Sequence, residues 1–157
     1  MLKTQISLLG VIFLAVFVEA VVMPGLWSPL RVDLLLGMVI GVIVHLGFSQ
    51  GLFFVLASSL LLQAFSGARP GLIPLFYVFT FIVIDVIKDF IYLENAMTQV
   101  LLATAFFVLA SGALVVFLDI HLMPLEIVPM VLGSVLTGIF SPVMVSIVGR
   151  VKRAYEA

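Results

Sequence analysis

Apolar residues run in six long stretches along this chain, and short polar or proline-glycine breaks separate them. The first stretch covers Ile6 to Met23, and Pro24-Gly25-Leu26-Trp27-Ser28-Pro29 closes it as a turn, with Trp27 suited to a membrane interface. The second runs from Val32 to Phe48, where Ser49-Gln50 is the only polar break before the third, Gly51 to Phe65. Both are short, which predicts a tight helical hairpin. Ser66 to Gly71 is a helix breaker, and a fourth stretch then covers Leu72 to Leu93. Glu94-Asn95 precedes the fifth, Met97 to Leu118, with Asn95 placed as its N-cap. Asp119 to Glu126 is polar and holds His121 and Pro124. The sixth stretch is Ile127 to Val148, and Arg150, Lys152 and Arg153 form a basic tail. A membrane-spanning helix needs about 20 mostly apolar residues, with a range of roughly 17–25. The pattern therefore predicts an all-α polytopic membrane domain of six transmembrane helices.

Composition gives the reason. Hydrophobic residues make up 64% of 157 residues and charged residues 10%, with a mean hydropathy of +1.41. A chain this short has too much surface to hide so much apolar side chain in a water-soluble core. Lipid is the expected solvent, and one domain is expected at this length. The net charge of −1 lacks the basic footprint of nucleic-acid binding. Cysteine is absent, which excludes disulfides, thiol nucleophiles and thiolate metal sites. Val18-Glu19-Ala20 has the small-x-small form of a signal-peptide cleavage site. The run Ile6 to Val22 is longer than a usual signal core, so an uncleaved first span is the expectation.

Orientation follows the positive-inside bias. Six spans place Lys3, Lys88, Arg150, Lys152 and Arg153 on one side and only Arg31 and Arg69 on the other. Both termini are therefore expected in the cytoplasm. Six of the seven prolines fall in or beside the three outer loops; Pro142 lies within the last span and is expected to kink it.

Few residues carry candidate chemistry. Gly37, Gly41 and His45 recur at i, i+4 and i+8 on one helical face, and Gly47-xxx-Gly51 crosses the hairpin. Small-xxx-small spacing lets two backbones approach closely. It serves either a partner interface or internal packing, and internal packing is the commoner use. Asp85, Lys88 and Asp89 share one face near the cytoplasmic end of the fourth span. Ionisable groups there are costly and need partners; Lys88 is one, and the basic tail, on the same membrane side, offers others. Glu19, Arg31 and Asp33 lie at the outer ends of the first two spans. Arg31 is placed to pair with either carboxylate, and Asp33 also suits the positive end of the second helix. Gln63 and Ser66 can hydrogen-bond a neighbouring helix or water. Neither a HExxH zinc motif nor a GxSxG nucleophile elbow is present, so no enzymatic activity is expected.

The block Pro29-Leu30-Arg31-Val32-Asp33-Leu34-Leu35-Leu36, then Gly47-Phe48-Ser49-Gln50-Gly51-Leu52, then Leu60-Leu61-Leu62-Gln63-Ala64-Phe65-Ser66-Gly67 and Pro70-Gly71-Leu72, resembles the bacterial rod-shape-determining MreD family. That family looks like a P-x-x-D-L-L-L opening to a short span, a G-x-x-x-G-L turn, and a D-x-x-S-G-x-x-x-G-L exit. Gln63 stands where the family usually has an acidic residue, which leaves no charge-based role at this position. The resemblance covers roughly residues 29 to 75. It implies a non-enzymatic inner-membrane subunit of the wall-elongation machinery, without cofactor or metal. The partners it implies are the bitopic shape protein MreC, with a SEDS glycosyltransferase, a penicillin-binding transpeptidase and an actin-like filament protein as neighbours. The family's fold looks like that of the substrate-binding subunits of energy-coupling-factor vitamin transporters, so a small-solute binder is the alternative. Against it, Ala15 and Ala20 lack the Ala-x-x-x-Ala spacing of those subunits, and the outer loops hold few hydrogen-bonding side chains.

Overall fold

The computed structural model describes residues 2–22, 31–66, 70–118 and 124–156. The turn around Trp27, the loop residues Gly67 to Arg69 and the polar stretch Asp119 to Met123, with His121, lie outside the described residues. Six helices and no strand occur among the described residues. They are α1 (Leu2–Phe17, continued by a π-helical turn Val18–Val22), α2 (Leu34–His45), α3 (Phe48–Ser66), α4 (Leu72–Ile87), α5 (Ala96–Leu118) and α6 (Pro124–Glu156).

Each start and stop has a local cause. Asp33 caps α2, its carboxylate accepting from Leu36 N at 2.8 Å. Leu46 closes the helix by donating its N–H to Val42 O, and only Leu46 and Gly47 separate it from α3. Before α4, Gly71 takes φ +85°, a left-handed conformation that an L side chain resists. Gly71 has no side chain to cap α4; Gln63 Oε1 on α3 instead accepts from Ile73 N at 3.3 Å. Asn95 Oδ1 accepts from Met97 N at 3.0 Å and so caps α5, as its position predicts. Gln99 pins the preceding turn by donating to Leu93 O at 2.8 Å.

The short helix α2 is the axis of the molecule. Every residue from Leu34 to Ile43 is buried, and α1, α3, α4, α5 and α6 all pack on it, α6 most extensively. A helix apolar all round belongs in an interior. The surrounding helices show the reverse arrangement. Leu14, Phe53, Leu60, Phe79, Leu109 and Ile139 all point outward and exposed. An apolar exterior on this scale marks a lipid-facing surface.

Three helices are long and apolar enough to cross a membrane: Phe48–Ser66, Ala96–Ala113 and Ile127–Ala154. The other three apolar helices, Ile6–Val22, Leu34–His45 and Leu72–Ile87, are shorter. The sequence expectation of six full-length spans is therefore seen only as six apolar helices of unequal length. With 12 residues, α2 is about 18 Å long at 1.5 Å per residue, against a hydrocarbon thickness of about 30 Å. The fourth stretch ends at Ile87 rather than Leu93, because the chain turns at Lys88 to Phe90 and the apolar Tyr92 and Leu93 belong to the connection. The sixth runs past Val148 to Glu156 and through Pro142. The basic residues sit in its last turns, where cations favour a helix terminus.

Candidate functional site

Three helices, α1 through its π-helical turn, α4 and α6, converge on the N-terminal end of α2 and form a polar centre there. Glu19, in the π-helical turn after α1, accepts from Leu35 N at 2.9 Å through Oε2. Asp33 accepts from Leu36 N through Oδ1 and from Tyr77 Oη on α4 at 2.6 Å through Oδ2. The Asp33 N–H donates to Thr137 Oγ1 on α6 at 2.9 Å. Two carboxylates thus answer adjacent backbone donors at the positive end of the central helix. The opposite end is complemented in the other sense. Lys152 Nζ donates to the carbonyl of His45 at 2.6 Å, placing a cation on the negative end of α2. Opposite charges at its two ends stabilise a short helix that packing alone would leave with unmet terminal groups.

The sequence expectation placed Arg31 against Glu19 or Asp33. The structure does not: Arg31 is exposed, and neither carboxylate has an ion-pair partner among the described residues. Backbone amides and a phenol take the positions a guanidinium would have filled. Asp33 behaves as predicted at the helix terminus. Tyr77 and Thr137 were not legible as its partners, being 44 and 104 residues away.

The glycine face resolves into internal packing. A Cβ on Gly37 would stand 3.0 Å from Ser141 Cα and 3.1 Å from Met144 Cβ; one on Gly41 would stand 3.0 Å from Val145 Cα and 3.1 Å from Val148 Cγ2. Both sets of neighbours are on α6. Gly51 faces Phe81, whose ring carbon would lie 2.9 Å from an added Cβ. Gly47 has open space beside it, so the Gly47-xxx-Gly51 pair does not act as a unit. The complementary small residues on α6 were missed. Gly133 abuts the Arg31 carbonyl, Gly138 abuts Thr104 and the Val100 carbonyl of α5, and Gly149 faces the His45 ring. Their signal was in the chain: Gly133, Thr137 and Ser141 recur every four residues and so line one helical face.

On the cytoplasmic side of the predicted topology, Lys88 Nζ meets Asp85 Oδ1 at 2.7 Å. The predicted pairing of Asp85 and Asp89 with the tail is not seen. Asp89 is exposed, Lys152 reaches His45, and Arg153 Nε donates to Gly149 O within its own helix. Sharing a membrane side did not make these groups neighbours. Breaking a partly exposed pair of this kind by Asp85→Asn is expected to lower stability by less than about 1 kcal/mol. Combining Asp85→Asn and Asp89→Asn with neutralised Arg150, Lys152 and Arg153 is expected to be additive within about 0.5 kcal/mol. A thermal-melt cycle in detergent measures this, and a larger coupling would restore the pair with the tail.

Gln63 also acquires a role. Its carbonyl oxygen stands in for the cap that Gly71 cannot supply to α4. A carboxylate would accept the same bond, so an acidic residue and a glutamine are interchangeable there. Gln63→Glu is expected to retain stability and Gln63→Leu to lose about 1 kcal/mol, the usual scale of a lost helix cap, read as the melting shift between the two variants.

With this geometry in place, comparison with protein-family models, with curated proteins and with solved structures gives no match.

Proposed function

We propose that this chain is a non-enzymatic scaffold subunit of the bacterial wall-elongation machinery. It sits in the cytoplasmic membrane with six membrane-embedded helices and both termini inside, and it helps to hold a rod shape by positioning peptidoglycan-synthesis proteins. The observation that carries this reading is the filled centre. Among the described residues the middle of the helix bundle is filled by α2, buried from Leu34 to Ile43. The space beside it, among Ile12, Met38, Val42, Phe54 and Ser58, is about 10 Å³, whereas a small-molecule site is roughly 300–1,000 Å³. The resemblance to the MreD family supports the same reading. Its motif residues have structural work here: Asp33 and Gln63 cap helices, Gly51 admits Phe81, and Gly71 makes the left-handed turn. A body built this way offers partners its apolar outer faces, and contact with the bitopic protein MreC would form through helix packing in the bilayer.

Two experiments test the proposal. Depletion in a rod-shaped host is expected to turn cells into spheres, and unchanged rods would contradict it. Reporter fusions after Leu93 and at Ala157 are expected to read cytoplasmic, and insertions at Gly67 or Met123 external. An external C-terminus would overturn the topology.

A further inference from the structure

We infer that the connection between α4 and α5 is a lipid anchor, set into the inner leaflet so that Phe90 and Tyr92 seat at the boundary between headgroups and acyl chains. The inference rests on the membrane placement of the chain and not on the scaffold role. Exposure is the first observation. Phe90 is 87% and Tyr92 79% exposed, the two highest values among the large hydrophobic side chains of the described residues. The backbone that carries them is tied down. Phe90 N donates to Ile87 O at 2.9 Å and Asn95 N to Tyr92 O at 3.2 Å. Leu93 is buried in the core, and its carbonyl accepts from the buried Gln99 side chain at 2.8 Å. Two rings are thus held outward by a fixed turn.

Depth is the second observation. With 16 residues, α4 is about 24 Å long at 1.5 Å per residue. With its Gly71 end at the outer boundary, it falls about 6 Å short of a hydrocarbon layer of about 30 Å. The residues that follow it complete that layer. The apolar outer surface is continuous through them: Leu75, Phe79, Ile82 and Val86 lead in along α4, and Met97 and Leu101 lead out along α5, all exposed. Charge limits how deep the segment goes. Lys88 is paired with Asp85, whereas Asp89 and Glu94 are exposed and bracket Phe90 to Leu93. Carboxylates on both sides hold the segment at headgroup level, because an ionised group is costly among acyl chains. Tyrosine, with an apolar ring and a polar tip, is enriched at that level. A soluble protein partner would need the same two rings in water, which would leave α4 too short for the bilayer.

Fluorescence depth measurement tests this on the full chain. Trp27, the only tryptophan, is replaced by Phe, and one new indole is placed by Phe90→Trp, Tyr92→Trp or, as a mid-helix reference, Phe79→Trp. All three sites are exposed, so the core is left intact. Each protein is reconstituted in vesicles of phosphatidylethanolamine and phosphatidylglycerol that carry phosphatidylcholine brominated either near the headgroup or near the chain end. Indoles at positions 90 and 92 are expected to be quenched about twofold more by the shallow bromine than by the deep one, as befits side chains at the headgroup and acyl boundary. The indole at position 79 is expected to show the reverse order. Acrylamide in the buffer is expected to quench positions 90 and 92 less than it quenches free N-acetyltryptophanamide. If either indole escapes both bromines and meets acrylamide as the free compound does, or is quenched more by the deep bromine, the anchor is overturned. Escape at positions 90 and 92 with normal quenching at 79 would leave the rings to a soluble partner and the membrane placement intact. Escape at position 79 as well would overturn both. None of these readouts depends on cell shape, so the anchor and the scaffold role fail separately.

Discussion

Gly41→Leu is expected to prevent accumulation of the folded chain. The position lies midway along the buried axis helix, and its Cα faces α6 with no slack. An added Cβ would stand 3.0 Å from Val145 Cα, a backbone atom, and 3.1–3.2 Å from two carbons of Val148. A flexible side chain could move aside, but the backbone of a 33-residue helix yields only if α2 and α6 separate. Overpacking a filled core costs about 1–3 kcal/mol. A leucine facing main chain belongs at the top of that range, and separation would also strip the contacts of Gly37 with Ser141 and Met144. Gly41→Ala is expected to cost less, and Gly47→Leu, with nothing within 4 Å of its Cβ, to be tolerated. Membrane levels by immunoblot, with melting in detergent, check the order. Equal levels for Gly41→Leu and Gly47→Leu would show that α2 and α6 do not pack as described.

The second large effect is expected at Asp33. Alanine there removes the cap of α2, worth about 1 kcal/mol. It also leaves the Tyr77 hydroxyl, otherwise bonded at 2.6 Å, without its acceptor in a buried setting, a penalty of about 1–3 kcal/mol. The expected loss is therefore about 2–4 kcal/mol, a large part of the stability of a small domain. Asparagine keeps an acceptor oxygen and is expected to be milder. Tyr77→Phe removes the orphaned donor, so Asp33→Ala in that background should lose only the cap contribution. A melting cycle over the four proteins is expected to give a coupling of about 1 kcal/mol or more between these two residues. Zero coupling would mean that the phenol and the carboxylate do not meet.

Local signals in the chain were readable and distant ones were not. Apolar runs located every helix because in lipid, as in a core, the side chains that face the solvent and those that face the interior are both apolar. Asp33 and Asn95 were readable as caps, since a cap depends on neighbours two or three residues away. Helix lengths were not readable. Hydropathy counts Tyr92 and Leu93 as span, although the backbone has already turned at Lys88. It also stops at Val148, although Arg150, Lys152 and Arg153 prolong the helix. The burial of α2 escaped for the same reason, since its apolar surface reads alike whether it faces lipid or other helices. In the site, Asp33 and the Gly37–Gly41 face were found, while their partners Tyr77, Thr137, Ser141 and Val145 lie 44 to 104 positions away. Only the fold brings these together, and one sequence carries no trace of such pairings. Lys88 was readable as a partner of Asp85, since the two lie one turn apart. Charge was misread only for the basic tail, where sidedness stood in for proximity: Lys152 turns to the end of α2.

Native mass spectrometry of the chain, purified gently from a rod-shaped host, tests the scaffold role most directly. The account predicts a complex with a bitopic membrane protein of the wall-elongation machinery and no stoichiometric small polar ligand. A vitamin-sized solute bound to the chain in the absence of any such partner would contradict it.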